Sequence, residues 1–183
     1  LWMGNDVNGK ELAAHHWRPD AEGERQANYN YAWYKHPSVA PYDLTQVHDR
    51  NVTNGQVKLN WDIMPGLSIQ GRAAGRLEDT FEDMKSPKSY MNYGDSRNGD
   101  YKTWNTDQLD INTDVLVTYT RAFNKNFALT VNAGSSLYYR QIRSEYQATD
   151  GLIVPGVYNM GNSLNPVSAT NSMNEKAIES VYG

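Results

Sequence analysis

Two stretches of strict alternation constrain this chain more than any other feature. Between Gln56 and Leu77 the odd positions read Val57, Leu59, Trp61, Ile63, then Leu67, Ile69, Gly71, Ala73, Gly75 and Leu77. The even positions read Gln56, Lys58, Asn60, Asp62, then Ser68, Gln70, Arg72, Ala74 and Arg76. Successive side chains of a β-strand point to opposite faces, so each stretch predicts a strand with one apolar and one polar face. Met64-Pro65-Gly66 joins them, with Pro and Gly suited to the two central positions of a type II turn. A second hairpin is built alike: Asp110–Phe123, the turn Asn124-Lys125-Asn126, then Phe127–Gln147. Its odd face carries Ile111, Val115, Val117, Tyr119, Phe123, Phe127, Leu129, Val131 and Leu137. Its even face carries Asn112, Asp114, Thr118, Thr120, Thr130, Asn132, Ser136, Tyr138 and Arg140.

Three-residue turns also predict which residues face each other. Lys58 falls opposite Arg72, and like charges across a strand pair are unfavourable unless water or a counter-ion separates them. The polar face is therefore expected to be wet. In the second hairpin Asp110 falls opposite Arg140 as an ion pair. Leu116, apolar on the polar face, falls opposite Gly134, where it would cover the gap. Between Ile111 and Tyr139, and outside the turn, Arg121 is the one charge on the apolar face, near a turn where a long side chain reaches toward water.

The connections are lopsided. The turns at one end are tight, whereas Glu78–Leu109 and Ala148–Glu175 each run to about thirty residues rich in Gly, Asn, Asp, Tyr and Pro. The expected organisation is a lead-in segment over 1–54 with a short helix at Gly9–Trp17, then a hairpin over 55–77. A long loop follows over 78–109, a second hairpin over 110–147, a second long loop over 148–175 and the start of another strand over 176–183. The chain opens at Leu1 and closes on "EKAIESVYG", half a strand, so a piece of a longer protein is expected.

Composition narrows the environment. No apolar run approaches the ~18 residues of a membrane helix, but barrel strands are only half apolar and escape that test. Thirteen Tyr and five Trp against three Phe favour places where apolar meets wet. A net charge of −4 gives no support to nucleic-acid binding, and the absence of Cys removes thiolate metal sites and Cys nucleophiles.

Alternation alone suits a soluble β-sandwich as well as an outer-membrane β-barrel. Tight turns at one end with long loops at the other match a barrel, whereas a sandwich distributes its connections over both ends. Aromatics also flank the tight turns, at Trp61, Tyr119, Phe123 and Phe127. Four or five strands do not close a barrel, whose smallest form has about eight. The expected fold is therefore all-β, a portion of a large antiparallel transmembrane β-barrel.

Specific motifs carry a family resemblance. "PYDLTQVHDRNVTNGQVKLNWDIMPGLSIQGRAAGRL", "DINTDVLVTYTRAFNKNFALTVNAGSSLYY", "GLIVPGVYNMGNS" and "ESVYG" follow in order over residues 37–183. This succession resembles the SusC/RagA family, TonB-dependent outer-membrane transporters of the Bacteroidota. Ser38-Val39-Ala40-Pro41-Tyr42 departs from the Asn-Pro-Tyr common there. The resemblance implies a barrel of about 22 strands around a plug. It further implies a SusD-like surface lipoprotein as lid, TonB acting on the plug, and import of an oligosaccharide or peptide.

On that expectation Lys58, Arg72, Arg76, Tyr138 and Arg140 face the lumen, along the substrate path or against the plug. Arg72 and Arg76 are the expected partners of plug carboxylates. The bland alternative is that all five merely solvate the interior. Tyr90, Tyr93, Tyr101, Trp104 and Tyr158 are expected in the loops, against the lid or stacked on sugar rings, which suit aromatic faces. Loop packing is their ordinary role. "DSRNGD" at Asp95–Asp100 lacks EF-hand spacing and reads as a turn. His15, His16, His36 and His48 form no ligand grouping and read as surface histidines, so no metal is expected. No nucleophile elbow, P-loop, GxGxxG or HExxH occurs, so neither catalysis nor a cofactor is expected. The alternative function is a soluble β-sandwich module for carbohydrate binding or adhesion.

Overall fold

The computed structural model describes residues 8–15, 17, 27, 36, 43–88 and 98–183. The chain is all-β, with one five-stranded antiparallel sheet and almost no helix. Its strands are β1 (Thr45–Met64), β2 (Leu67–Ser86), β3 (Asp100–Asn124), β4 (Phe127–Leu152) and β5 (Ser163–Tyr182). They lie in the sheet in chain order, leaving β1 and β5 as its edges. A single short helix, α1 (Gly9–Ala14), precedes them, capped by the Asn8 side chain accepting from the amides of Lys10 and Glu11.

Both tight turns fall where the sequence places them. Gly66 has φ of +84°, the left-handed value that the second central position of a type II turn requires. In the second turn the Asn126 amide donates to Asn124 Oδ1 at 2.9 Å. Cross-strand contacts in the second hairpin repeat one register, since the residue numbers of each pair add to the same value. Thr120 meets Thr130, Thr118 meets Asn132, Arg140 meets Asp110, and Trp104 meets Tyr146. Even positions share one face and odd positions the other throughout β1 to β4, as the contacts of Arg50 with Glu78 and Arg72 with Asp114 require.

The strands run farther than the alternation alone indicates. β2 continues past Leu77 to Ser86, β3 already starts at Asp100, and β4 runs past Gln147 to Leu152. What reads as two thirty-residue loops is therefore largely strand, with connections only over 87–99 and 153–162. Residues Glu78–Ser86 carry charged and polar side chains on both faces, with one apolar residue on each (Phe81 and Met84), which erases the period-two signal while leaving the cross-strand contacts intact. Gln46 and His48 both reach Glu82, at 3.2 and 3.0 Å. β5 begins at Ser163 and includes Pro166, a residue tolerated on an edge strand because no ladder bond need form on its open side.

Contacts divide the chain into two compact units. One comprises Leu1–Asp49, Phe81–Asn105 and Glu145–Thr170, and the other Arg50–Thr80, Thr106–Ser144 and Asn171–Gly183. Every buried hydrophobic among the described residues, namely Ala27, Ala148 and Leu152, belongs to the first unit. His36, expected at the surface, is fully buried there, with Nε2 2.8 Å from the Leu12 carbonyl oxygen. Sequence pattern missed it because a lone histidine carries no period. In the same unit Asp100 accepts from the Gly151 amide at 2.8 Å, so the end of "DSRNGD" opens β3. Among the described residues no group of His, Asp and Glu is arranged to hold a metal ion.

In the second unit the odd face is an exposed apolar surface. Leu59 is 71% exposed, Trp61 66%, and Phe123 and Phe127 55% each, alongside Val57, Val115, Leu129 and Val131. At the turns the Phe123 and Phe127 rings lie 5.5 Å apart, and the Arg121 guanidinium stands 5.2 Å over Phe123. At the end away from the turns the apolar band stops at a polar row. There Glu175 accepts from Tyr139 at 3.0 Å and from Gln141 at 2.6 Å.

Candidate functional site

The even face of the second unit gathers Lys58, Arg72, Arg76, Tyr138 and Arg140, because strand alternation leaves them no other side. Four of the five are engaged within the sheet itself. Arg72 Nε meets Asp114 Oδ2 at 2.7 Å, joining β2 to β3. Arg140 Nε and the Tyr138 hydroxyl both donate to Asp110 Oδ1, at 2.6 and 2.9 Å, and Gln108 donates to its Oδ2 at 2.6 Å. Arg76 and Arg50 share Glu78, with Arg50 Nε 2.6 Å from Oε1 and Arg76 Nη2 on Oε2. Lys58 has no ion-pair partner among the described residues. Within the sheet, Asp114 meets Arg72 and Glu78 meets Arg76, and both guanidiniums keep part of their surface exposed.

The carboxylates are the sheltered members of these pairs and the guanidiniums the exposed ones. A carboxylate lying low on the strand surface accepts readily, while the long Arg stem lies over the sheet and keeps its head near water. At Glu78 the hydrogen bond from Arg50 holds the carboxyl below its usual range, against an opposing push from burial. Replacing Asp110 by Ala removes three charge-assisted contacts at once and leaves Arg140 unmatched. Thermal or chemical unfolding should register a loss of about 1–2 kcal/mol. No loss would mean that the three donors are equally well served by water.

The polar face also holds a groove of about 460 Å³, lined by Asn54, Gln56, Ala74, Arg76, Asp110 and Asn112. Ala74 makes its floor low between longer neighbours. Farther along, the register of the second hairpin sets Leu116 opposite Gly134, and a residue of β5 also covers that glycine. A Cβ at Gly134 would stand 2.6 Å from the Tyr182 ring, so the ring of β5 lies against the bare backbone. The sequence held no clue to that pairing, since β5 reaches Gly134 from the other side of β4.

The aromatic candidates divide differently. Tyr101 and Tyr158 stack at 6.3 Å with a tilt of 44°, and Trp104 meets Tyr146 at 5.2 Å, all in the first unit. Tyr90 and Tyr93 lie outside the described residues. Burial raises the Tyr101 phenol above its usual range, assisted by Asp83, to which its hydroxyl donates at 3.4 Å. Tyr158 is raised by burial and then by Asp43. These rings therefore lie against other aromatic rings among the strand ends and the 153–162 connection. The pattern did not single out Asn162, which is buried and ties that connection together. Its Oδ1 accepts from the Val154 amide at 3.1 Å, and its Nδ2 donates to the carbonyls of Val154 at 2.8 Å and Val157 at 2.7 Å.

No known family model and no curated protein matches the chain.

Proposed function

We propose that this chain forms part of the wall of a SusC/RagA-like, TonB-dependent outer-membrane transporter. The observation that carries it is the exposed odd face of the second unit. Its large apolar side chains are uncovered, aromatic rings flank its tight turns, and a polar row ends it at the other side. In water such a continuous face on so polar a chain is costly, at about 25 cal/mol for each Å² left uncovered. Lipid removes that cost, and strands longer than the 9–11 residues needed for a crossing fit a barrel whose strands continue beyond the bilayer.

On this proposal the even face lines a wet lumen beside the plug, and an oligosaccharide or peptide passes along it. The connections at 87–99 and 153–162 lie outside the cell, beneath a SusD-like lipoprotein lid. The two edge strands, β1 and β5, pair with further strands of the same barrel, which removes the open edges. Spin labels at Val115, Val117 and Val131, in the full transporter reconstituted in lipid, test the assignment. Labels reached by oxygen and shielded from an aqueous quencher are the expected result. Labels reached by the aqueous quencher and not by oxygen overturn it. Labels shielded from both place a protein layer over this face, as in a sandwich.

A further inference from the structure

On the polar face Asp114, Asp110 and Glu78 are each answered by arginine. One row of the odd face is built differently. The contact of Arg72 with Asp114 fixes the register of β2 on β3, and that of Arg140 with Asp110 fixes β3 on β4. Carried along the strands, these registers set Asp79 opposite Asp107, and Asp107 opposite Arg143. All three are exposed, and among the described residues none of them has an ion-pair partner. Leu77 and Leu109 face each other in the next row toward the apolar band. With the three charged groups they line a pocket of about 310 Å³, charged on one side and apolar on the other.

Like charges directly opposite destabilise a strand pair unless something positive comes between them. A bare metal ion answers the two aspartates but meets Arg143, one strand away, as a like charge. Among the described residues no metal-holding group is present. A group with an ammonium and a phosphate side by side answers both signs. Neighbouring strands stand about 4.8 Å apart, a spacing similar to that between the two charges of phosphoethanolamine. Glu175 of β5 lies within electrostatic reach of Arg143 but is bonded to Tyr139 and Gln141.

We propose that this pocket binds the head group of an aminophospholipid. Asp79 and Asp107 accept from its ammonium, and Arg143 donates to its phosphate. The acyl chains run over Leu77 and Leu109 onto the apolar band. This occupant rests on the membrane placement proposed above, since a lipid-covered face is what brings such head groups to this row.

Native mass spectrometry of the full transporter in detergent tests the site with phosphatidylethanolamine, phosphatidylcholine and phosphatidylglycerol of equal chain length. Choline keeps the phosphate and the positive charge but has no N–H to donate, and glycerol lacks the positive charge. A preference for the ethanolamine lipid is expected. In the double variant Asp79→Asn with Asp107→Asn that preference should fall about fivefold, the scale of exposed charge-assisted bonds. Arg143→Gln should instead weaken all three lipids alike. Both changes lie at exposed positions, and the first relieves a like-charge contact, so unfolding should be unchanged. A parent protein indifferent to the head group overturns the site, as does a preference that the double variant keeps. Calcium that displaces the ethanolamine lipid from the parent overturns it in favour of a metal ion. Spin labels at Val115 in the same protein separate the two kinds of failure. Labels open to oxygen, with no head-group preference, overturn this site alone. Labels shielded from oxygen overturn the membrane placement and the site with it.

Discussion

Gly66→Ala is expected to break the first hairpin at its turn and to lower stability by about 3 kcal/mol or more. Two effects coincide at this residue. Its φ of +84° is one that a side chain disfavours, and a Cβ built there would stand 2.2 Å from the carbonyl oxygen of Thr120. That oxygen belongs to the backbone of β3 and has no flexible end to swing away. The same neighbour donates its amide to the Gly66 carbonyl at 2.7 Å, so a shift that relieves the clash also breaks a bond between the turn and β3. Denaturant titration followed through Trp61, close to the turn, measures the loss. Pro65→Ala is the control and should cost less than about 1 kcal/mol, since alanine adopts the same φ and sacrifices only chain stiffness. A Gly66→Ala protein as stable as its parent would contradict the turn geometry.

Asn162→Ala is the second large effect expected, also about 3 kcal/mol, and it acts on a different part of the chain. One buried side chain here satisfies the Val154 amide and the carbonyls of Val154 and Val157. Those backbone groups have no ladder to pair with, because the connection turns back on itself between β4 and β5. Truncation removes all three bonds, leaving the Val154 carbonyl only the Val157 amide at 3.4 Å, and each hydrogen bond lost costs about 0.5–1.5 kcal/mol. Hydrogen exchange resolves the effect locally. The Val154 amide should lose its protection, while amides within β3 keep theirs. Asn162→Asp should fare no better, because a carboxylate keeps the acceptor for Val154 but faces two carbonyls with no proton to donate. Unchanged exchange at Val154 in either variant would rule the tie out.

The connection that Asn162 holds presents Ile153, Val154 and Val157 to the outside. Its shape is therefore fixed by one polar residue rather than by an apolar core. Such a loop shows no hydrophobic periodicity, so composition describes it only as Gly-, Asn- and Pro-rich. The same blindness explains the strand ends. Over Glu78–Ser86 the pairing is carried by Arg50, Gln46 and His48 reaching Glu78 and Glu82, none of which repeats as an apolar pattern. β5 was legible only near its end because Pro166 and a run of small polar residues resemble a loop. His36 and Asn162, each buried singly, left no period at all.

What the sequence by itself determined was everything local to a hairpin. Alternation decided which side chains share a face, and a three-residue turn carried that decision across to the next strand. Asp110 opposite Arg140 was readable for this reason, as was the grouping of Lys58, Arg72, Arg76 and Tyr138 on one polar face. What only the tertiary structure decided was the alignment of one hairpin against its neighbours. The link from β2 to β3 runs through the connection at 87–99, and no short turn transmits register through it. Arg72 could therefore be placed on its face but not matched to Asp114, and Gly134 could not be matched to Tyr182. Register between strands far apart in sequence is set by the fit of whole faces. That fit exists only once the strands lie side by side.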